Sequence, residues 1–63
     1  MNTEEKGRLY EHYVDQARLL ERKNSTLKSH NVINISEDVQ KEINENQDKI
    51  DYFQRKINEL FYQ

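Results

Sequence analysis

Residues 36–40 bring a hydroxyl, two carboxylates and a primary amide together within five positions, in the order Ser-Glu-Asp-Val-Gln. Hydroxyl, carboxylate and amide groups set this close together can belong to a catalytic motif. A serine followed by acids is also a common helix start, because these side chains satisfy free backbone amides in the first turn. The stretch therefore predicts a helix start, and it leaves open whether the same residues also belong to a catalytic motif.

Outside this stretch the sequence offers few groups for catalysis or metal binding. His12 has Glu11 and Asp15 beside it, a set that could hold a metal ion loosely, and we interpret it instead as a solvent-exposed helix face. The chain has no cysteine, which excludes disulfides and thiolate metal sites, and it has no glycine-rich phosphate-binding loop. We therefore predict no cofactor and no metal, and we favour a role that is not enzymatic.

The size and composition of the chain limit the architecture that must position these residues. Its 63 residues suffice for one domain, whose small core is marginally stable unless helices or chains pack closely. Apolar residues make up 33% and charged residues 35%, the net charge is −2, and proline is absent. The sequence has no run of about 18 apolar residues and no signal-peptide core. We expect a cytoplasmic protein without membrane association, built from long helices with a narrow apolar stripe.

Apolar residues recur at alternating spacings of three and four in both halves of the chain, which is typical of helices that pack along a seam. The seam positions are Tyr10, Tyr13, Ala17, Leu20, Asn24 and Leu27, followed by Val39, Ile43, Asn46, Ile50, Phe53, Ile57 and Leu60. We predict one helix over about residues 3–28, a loop over about 29–35 and a second helix over about 36–62. The fold class that follows is all-α, an antiparallel two-helix hairpin.

The point at which the chain turns determines which seam residues face each other. If it folds back near Ile33, positions whose numbers add up to about 66 become neighbours. We therefore expect Tyr13 to meet Phe53, and Tyr10 to meet Ile57.

Two seam positions are occupied by asparagine, Asn24 and Asn46, which lie about one helical turn apart in this pairing. A buried amide lowers stability but specifies the register of packed helices. The sequence leaves two alternatives open: a buried polar pair, or side chains at a partly hydrated edge of the seam.

Seven apolar residues lie off the seam or at its ends: Leu9, Val14, Leu19, Ile35, Tyr52, Phe61 and Tyr62. A hairpin that exposes them carries an apolar patch large enough to bind another protein. We predict that they form the partner-binding surface of an interaction module or regulator, with Arg18, Arg22 and the acids of the second helix setting orientation. The simplest partner is a second copy, which gives a homodimer arranged as a four-helix bundle or coiled coil.

The first half of the chain is more basic than the second. Residues 1–31 contain six basic and five acidic residues, and residues 32–63 contain four basic and seven acidic, so the net charges are +1 and −3. The first helix has a basic run of Arg18, Arg22, Lys23 and Lys28. A nucleic-acid site needs a more strongly basic face, so nucleic-acid binding is the least favoured of the functions considered.

In residues 30–47, Val32-Ile33 precede Ser36, which is followed by Glu37, Asp38, Val39 and Gln40, with Ile43-Asn44 further on. This stretch resembles the second-helix start of the small sporulation-regulating aspartyl-phosphate phosphatases, a family of bacterial helical hairpins. The family's signature is a serine N-cap within S-Q-E-L-D, after a V-I pair. The resemblance implies a hairpin that docks on a phosphorylated response regulator and hydrolyses its acyl phosphate. The family's functional aspartate corresponds to Gln40, so this alternative function relies on Gln40, with Ser36 and Glu37.

Overall fold

The computed structural model describes residues 2–30 and 33–62 and consists of two α-helices packed against each other. α1 spans Thr3–His30 and α2 spans Glu37–Tyr62. Ring contacts join the start of α1 to the end of α2, so the helices are antiparallel and form a hairpin of 48 × 15 × 13 Å. The prediction of an all-α fold with two packed helices is confirmed for the described residues, which contain no strand. The predicted loop includes Val32 of the phosphatase-like pattern, which lies outside the described residues.

α1 begins with a side-chain cap and continues slightly beyond its predicted end. Asn2 Oδ1 accepts a hydrogen bond of 2.8 Å from the Glu5 backbone amide, and the Asn2 carbonyl accepts one of 3.1 Å from the Lys6 amide. These bonds satisfy amides that have no acceptor inside the helix. The helix extends to His30, two residues past the predicted boundary, and the basic side chains of Lys28 and His30 suit the partial negative charge of a helix C-terminus.

Ser36 caps α2 and so gives this part of the chain its local shape. Its Oγ accepts a hydrogen bond of 3.2 Å from the Val39 amide, and its carbonyl accepts one of 2.9 Å from the Gln40 amide. Glu37 and Asp38 occupy the first turn, where the helix dipole stabilises carboxylates. The helix-start pattern in the sequence therefore forms a helix start in the structure.

The core is a narrow seam whose buried apolar residues are Ala17, Ile43, Ile50 and Leu60. An alanine at a seam position lets helix backbones approach closely, and the longer aliphatic side chains fill the space between them. The Tyr13 and Phe53 rings lie 5.9 Å apart, in agreement with the predicted pairing. Tyr10 reaches the Phe61 ring at 5.5 Å, one turn beyond Ile57, because helical side chains lean toward the N-terminus of their helix.

Asn24 and Asn46 form a buried polar pair within the seam. The two residues are 5% and 6% exposed, and Asn46 Nδ2 donates a hydrogen bond of 2.9 Å to Asn24 Oδ1. Asn24 Nδ2 in turn donates one of 3.1 Å to the backbone carbonyl of Ile43. Of the two alternatives that the sequence leaves open, the structure has the buried pair. Because the pairing requires both amides in place, it joins the helices in a single register.

Candidate functional site

The side chains singled out for phosphoryl chemistry lie exposed at the start of α2. Ser36 precedes the helix, Glu37 begins it, and Gln40 follows one turn later. Gln40 Nε2 donates a hydrogen bond of 3.0 Å to Asn44 Oδ1, while the Ser36 hydroxyl oxygen serves as the helix cap. The Gln40 amide is therefore accessible to a partner, but its nitrogen is already engaged within the helix.

The described residues contain neither a metal-binding cluster nor a membrane-spanning helix. Within residues 2–30 and 33–62, no group of three or more metal-ligating side chains lies close enough to hold an ion. His12 is exposed, as are Glu11 and Asp15, and its ring lies 5.7 Å from the Tyr13 ring. Over the same part of the chain, neither helix combines the length and the apolar character needed to cross a lipid bilayer.

Most of the apolar residues predicted to bind a partner are exposed. They are Leu19, Ile35, Tyr52, Phe61 and Tyr62. The other two, Leu9 and Val14, are half-buried, because their positions flank the seam and the neighbouring helix covers part of each side chain. Five of the seven residues are therefore fully accessible to a partner, and the other two are partly accessible.

Sequence reasoning did not include two exposed apolar residues, Tyr10 and Ile33, in the partner-binding set. Tyr10 has seam spacing but is 41% exposed, and Ile33 precedes α2 and is 99% exposed. The exposure of Tyr10 could have been expected from its place in the outermost layer of the seam, where fewer neighbours cover a side chain. The sequence indicates less clearly that Ile33 is exposed, because β-branched residues are also common in buried segments.

Three of the exposed aromatic side chains take part in two ring contacts. Tyr10 and Phe61 meet edge to face, with centroids 5.5 Å apart and an interplanar angle of 79°. Tyr52 meets Phe53 in the same manner at 5.3 Å. Such contacts hold the rings in place, so Tyr10, Phe61 and Tyr52 are preorganised for binding.

Lys56 interacts with Tyr52 and with an acid one turn further along α2. Its Nζ lies 5.5 Å from the centroid of the Tyr52 ring and donates a hydrogen bond of 3.4 Å to Glu59 Oε2. The hydrogen bond to Glu59, together with the charge of that carboxylate and the nearby Tyr52, raises the pKa of Lys56 above its ordinary value. The group is a solvated ion pair, which makes it a surface feature of limited energetic weight.

The outer surface of α1 carries positive charge next to an exposed leucine. Arg18 and Arg22 line a shallow groove on α1, and Leu19, Lys23 and Glu42 line another that reaches across to α2. Neither arginine forms an ion pair with any of the described residues. Their charge is therefore available to an acidic surface on a partner.

Comparison of the chain with protein-family models, with curated proteins and with solved structures finds no match. The likeness to aspartyl-phosphate phosphatases stays a prediction that rests on the residues quoted for it. Function is therefore inferred from what the hairpin exposes.

Proposed function

We propose that this chain is a small protein–protein interaction module that acts through the exposed apolar faces of its helices and pairs first with a second copy. The observation that supports this is the amount of uncovered surface. The chain exposes 5228 Å², whereas a compact monomer of its 7.7 kDa mass exposes about 4,300 Å². The excess of about 900 Å² is close to the roughly 800 Å² that each partner buries in a standard interface.

The excess surface includes side chains that water solvates poorly. Leu19, Tyr52 and Phe61 are 50%, 49% and 59% exposed, and full burial of a large apolar side chain contributes about 1.5–3 kcal/mol relative to full exposure. Pairing with a second hairpin would complete a four-helix bundle, the usual assembly for amphipathic helices of this length. Such a dimer would act as a regulator or adaptor by presenting its remaining helix faces to another protein.

The test is light scattering of the purified chain over about a hundredfold range of concentration. We expect the mass to rise from that of one chain toward about twice 7.7 kDa as the concentration increases. A mass of one chain throughout that range would contradict self-association.

A second candidate function is phosphatase-like action on a phosphorylated response regulator, favoured by the exposure of Ser36, Glu37 and Gln40 at one end of the hairpin. Gln40 would orient the attacking water, and the regulator or solvent would have to accept the proton, since an amide cannot. That requirement ranks this function second.

The phosphatase-like function is tested by following acyl-phosphate decay in a panel of phosphorylated receiver domains. If the function is correct, the wild-type chain accelerates decay of at least one member and Gln40→Ala does not. Unchanged decay of every member contradicts it.

A further inference from the structure

One edge of the hairpin carries an uncharged row of exposed side chains. On α2 the row consists of Gln40, Gln47, Gln54 and Phe61, spaced seven residues apart. Seven residues are almost two helical turns, so these side chains follow one line along the helix. The contact between Phe61 and Tyr10 places the row beside an edge of α1 where Gly7, Tyr10 and Val14 lie at spacings of three and four. We call these residues of both helices the glutamine face.

The opposite edge of α2 is charged. At seven-residue spacing it carries Glu42, Lys49 and Lys56. Because successive residues are rotated by about 100°, Glu42 points about 160° away from Gln40, and it shares its groove with Leu19 and Lys23. Interface cores are depleted in lysine and glutamate. On α2, the glutamine row is therefore better suited to burial than the charged edge, while the glutamine edge of α1 continues toward the loop with the exposed, charged Glu21 and Lys28.

Gly7 has no role inside the hairpin that explains its place in α1. Its backbone is not in the left-handed region, and a Cβ added there would meet no atom within 4 Å. Alanine would favour the helix more at such a position. A glycine on a helix surface does let another chain approach the backbone closely. On the glutamine face, Gly7 forms a notch beside Tyr10.

We propose that two copies pair through the glutamine face with their loops at the same end, α1 of each copy lying on α2 of the other. Phe61 of each copy then rests over Gly7 of the other. This inference rests on the self-association proposed above and names its surface. A second copy is the occupant because α1 and α2 carry opposite net charges, so each helix finds its complement on the same face of another copy.

The levels of Phe61 and Gly7 along the hairpin match. The rings of Tyr13 and Phe53 are in contact and so share a level. Gly7 lies six residues before Tyr13 on α1, and Phe61 lies eight residues after Phe53 on α2. Both steps run toward the same end of the hairpin, so at about 1.5 Å per residue the levels of Gly7 and Phe61 differ by about 3 Å along the axis. In a same-end dimer this match is kept while the helices overlap along their full length. In a dimer with the loops at opposite ends, the same contact would let the two hairpins overlap only at the ends far from their loops.

Charge determines which helices meet. All charged residues lie in the helices, so α1 has a net charge of +1 and α2 of −3. Pairing α1 with α2 of the second copy brings opposite charges together twice, whereas pairing like helices would place −3 against −3. Arg18 borders the glutamine face on α1 and Asp51 borders it on α2, within about 5 Å of the same level. Arg18, whose guanidinium forms no ion pair with the described residues, therefore gains an acidic partner across the interface.

Sedimentation equilibrium of the full chain and three variants tests the face. We expect Phe61→Glu and Gly7→Leu each to raise the dimer Kd at least about tenfold. Thr26→Glu is the matched control, since it adds the same charge at an exposed position in the groove on the other edge, and its Kd should change less than about twofold. Gly7→Leu keeps the test valid if Phe61→Glu misfolds, because leucine favours helix and its Cβ has open space.

Orientation is tested with a spin label on Asn34→Cys, which is feasible because the chain has no cysteine. A same-end dimer gives a label separation below about 25 Å, and an opposite-end dimer gives more than about 40 Å. A separation in the longer range overturns the same-end arrangement.

These measurements distinguish a failure of the glutamine face from a failure of the self-association on which it rests. A wild-type chain that is monomeric throughout overturns both. A dimer that both Phe61→Glu and Gly7→Leu leave intact overturns the glutamine face alone.

Discussion

Replacing Asn46 with leucine should destabilise the hairpin by more than the loss of an ordinary hydrogen bond. Asn46 donates the 2.9 Å bond that satisfies Asn24 Oδ1, and both residues are more than nine-tenths buried. Without that donor, the oxygen stays buried and unpaired, which costs about 1–3 kcal/mol. A chain of this length has a total unfolding free energy of only about 3–9 kcal/mol. The single substitution therefore removes a large fraction of the stability.

Asn24→Leu should cost at least as much, because Asn24 also donates the 3.1 Å bond to the Ile43 carbonyl. The double variant leaves neither amide in the seam, and an apolar pair of similar shape should be as stable as wild type or more stable. The two single effects should therefore be far from additive, with a coupling energy of about 1–3 kcal/mol.

The assay is urea unfolding followed by far-UV circular dichroism, with wild type, both single variants and the double variant at one chain concentration. A common concentration is needed because association shifts apparent stability. Asn58→Leu is the control, since Asn58 is exposed and the same substitution there should change stability by less than about 0.5 kcal/mol. A coupling energy below about 0.5 kcal/mol would refute the reasoning, because the amides would then act independently.

Three further predictions concern the cap, the core and the ion pair. Ser36→Ala leaves the Val39 amide without its 3.2 Å acceptor, so the free energy of unfolding should fall by about 1 kcal/mol; an unchanged thermal melt would contradict this. Ile50 is 2% exposed, so Ile50→Ala should cost about 2–5 kcal/mol in urea unfolding, and a smaller loss would mean that the seam collapses around the cavity. Glu59→Gln should lower the pKa of Lys56 toward its ordinary value of 10.5, because the hydrogen bond and charge of Glu59 are the main causes of the raised pKa. An NMR titration of Lys56 in both proteins measures the change, and equal pKa values would contradict the prediction. Since a raised lysine pKa stabilises the folded chain below 10.5 and loses that effect as pH rises through the folded pKa, the stabilities of wild type and Glu59→Gln should converge at high pH.

The spacing of the seam predicts the two helices and their pairing, because a narrow stripe with 3.6-residue periodicity has few other ways to be buried. Tyr13 opposite Phe53 follows directly from where the chain turns. The spacing could not decide whether Asn24 and Asn46 are buried, since a rotation of either helix by a few tens of degrees would move an amide to the edge. Nor could it place the end of α1, because Ser29 and His30 have only moderate helix propensities.

The candidate site was less predictable than the fold. Ser36 could be identified as a cap, because capping depends only on neighbouring backbone amides. Any chemistry at Gln40 depends on a partner's active site, and no property of the hairpin alone determines it. The exposure of Tyr10 and the half-burial of Val14 depend on how much of each side chain the neighbouring helix covers. A notch at Gly7 becomes meaningful only once Phe61 is known to lie at nearly the same level.

Small-angle X-ray scattering of the wild-type chain tests the central claim most directly, because it reports mass and length together. Side-by-side pairing of two hairpins predicts the mass of two chains with a maximum dimension still close to the 48 Å length of one. The mass of a single chain, with a radius of gyration near the 14.6 Å of one hairpin, would contradict the account. So would a particle of two chains and about twice the length, because that shape requires contact only at the ends.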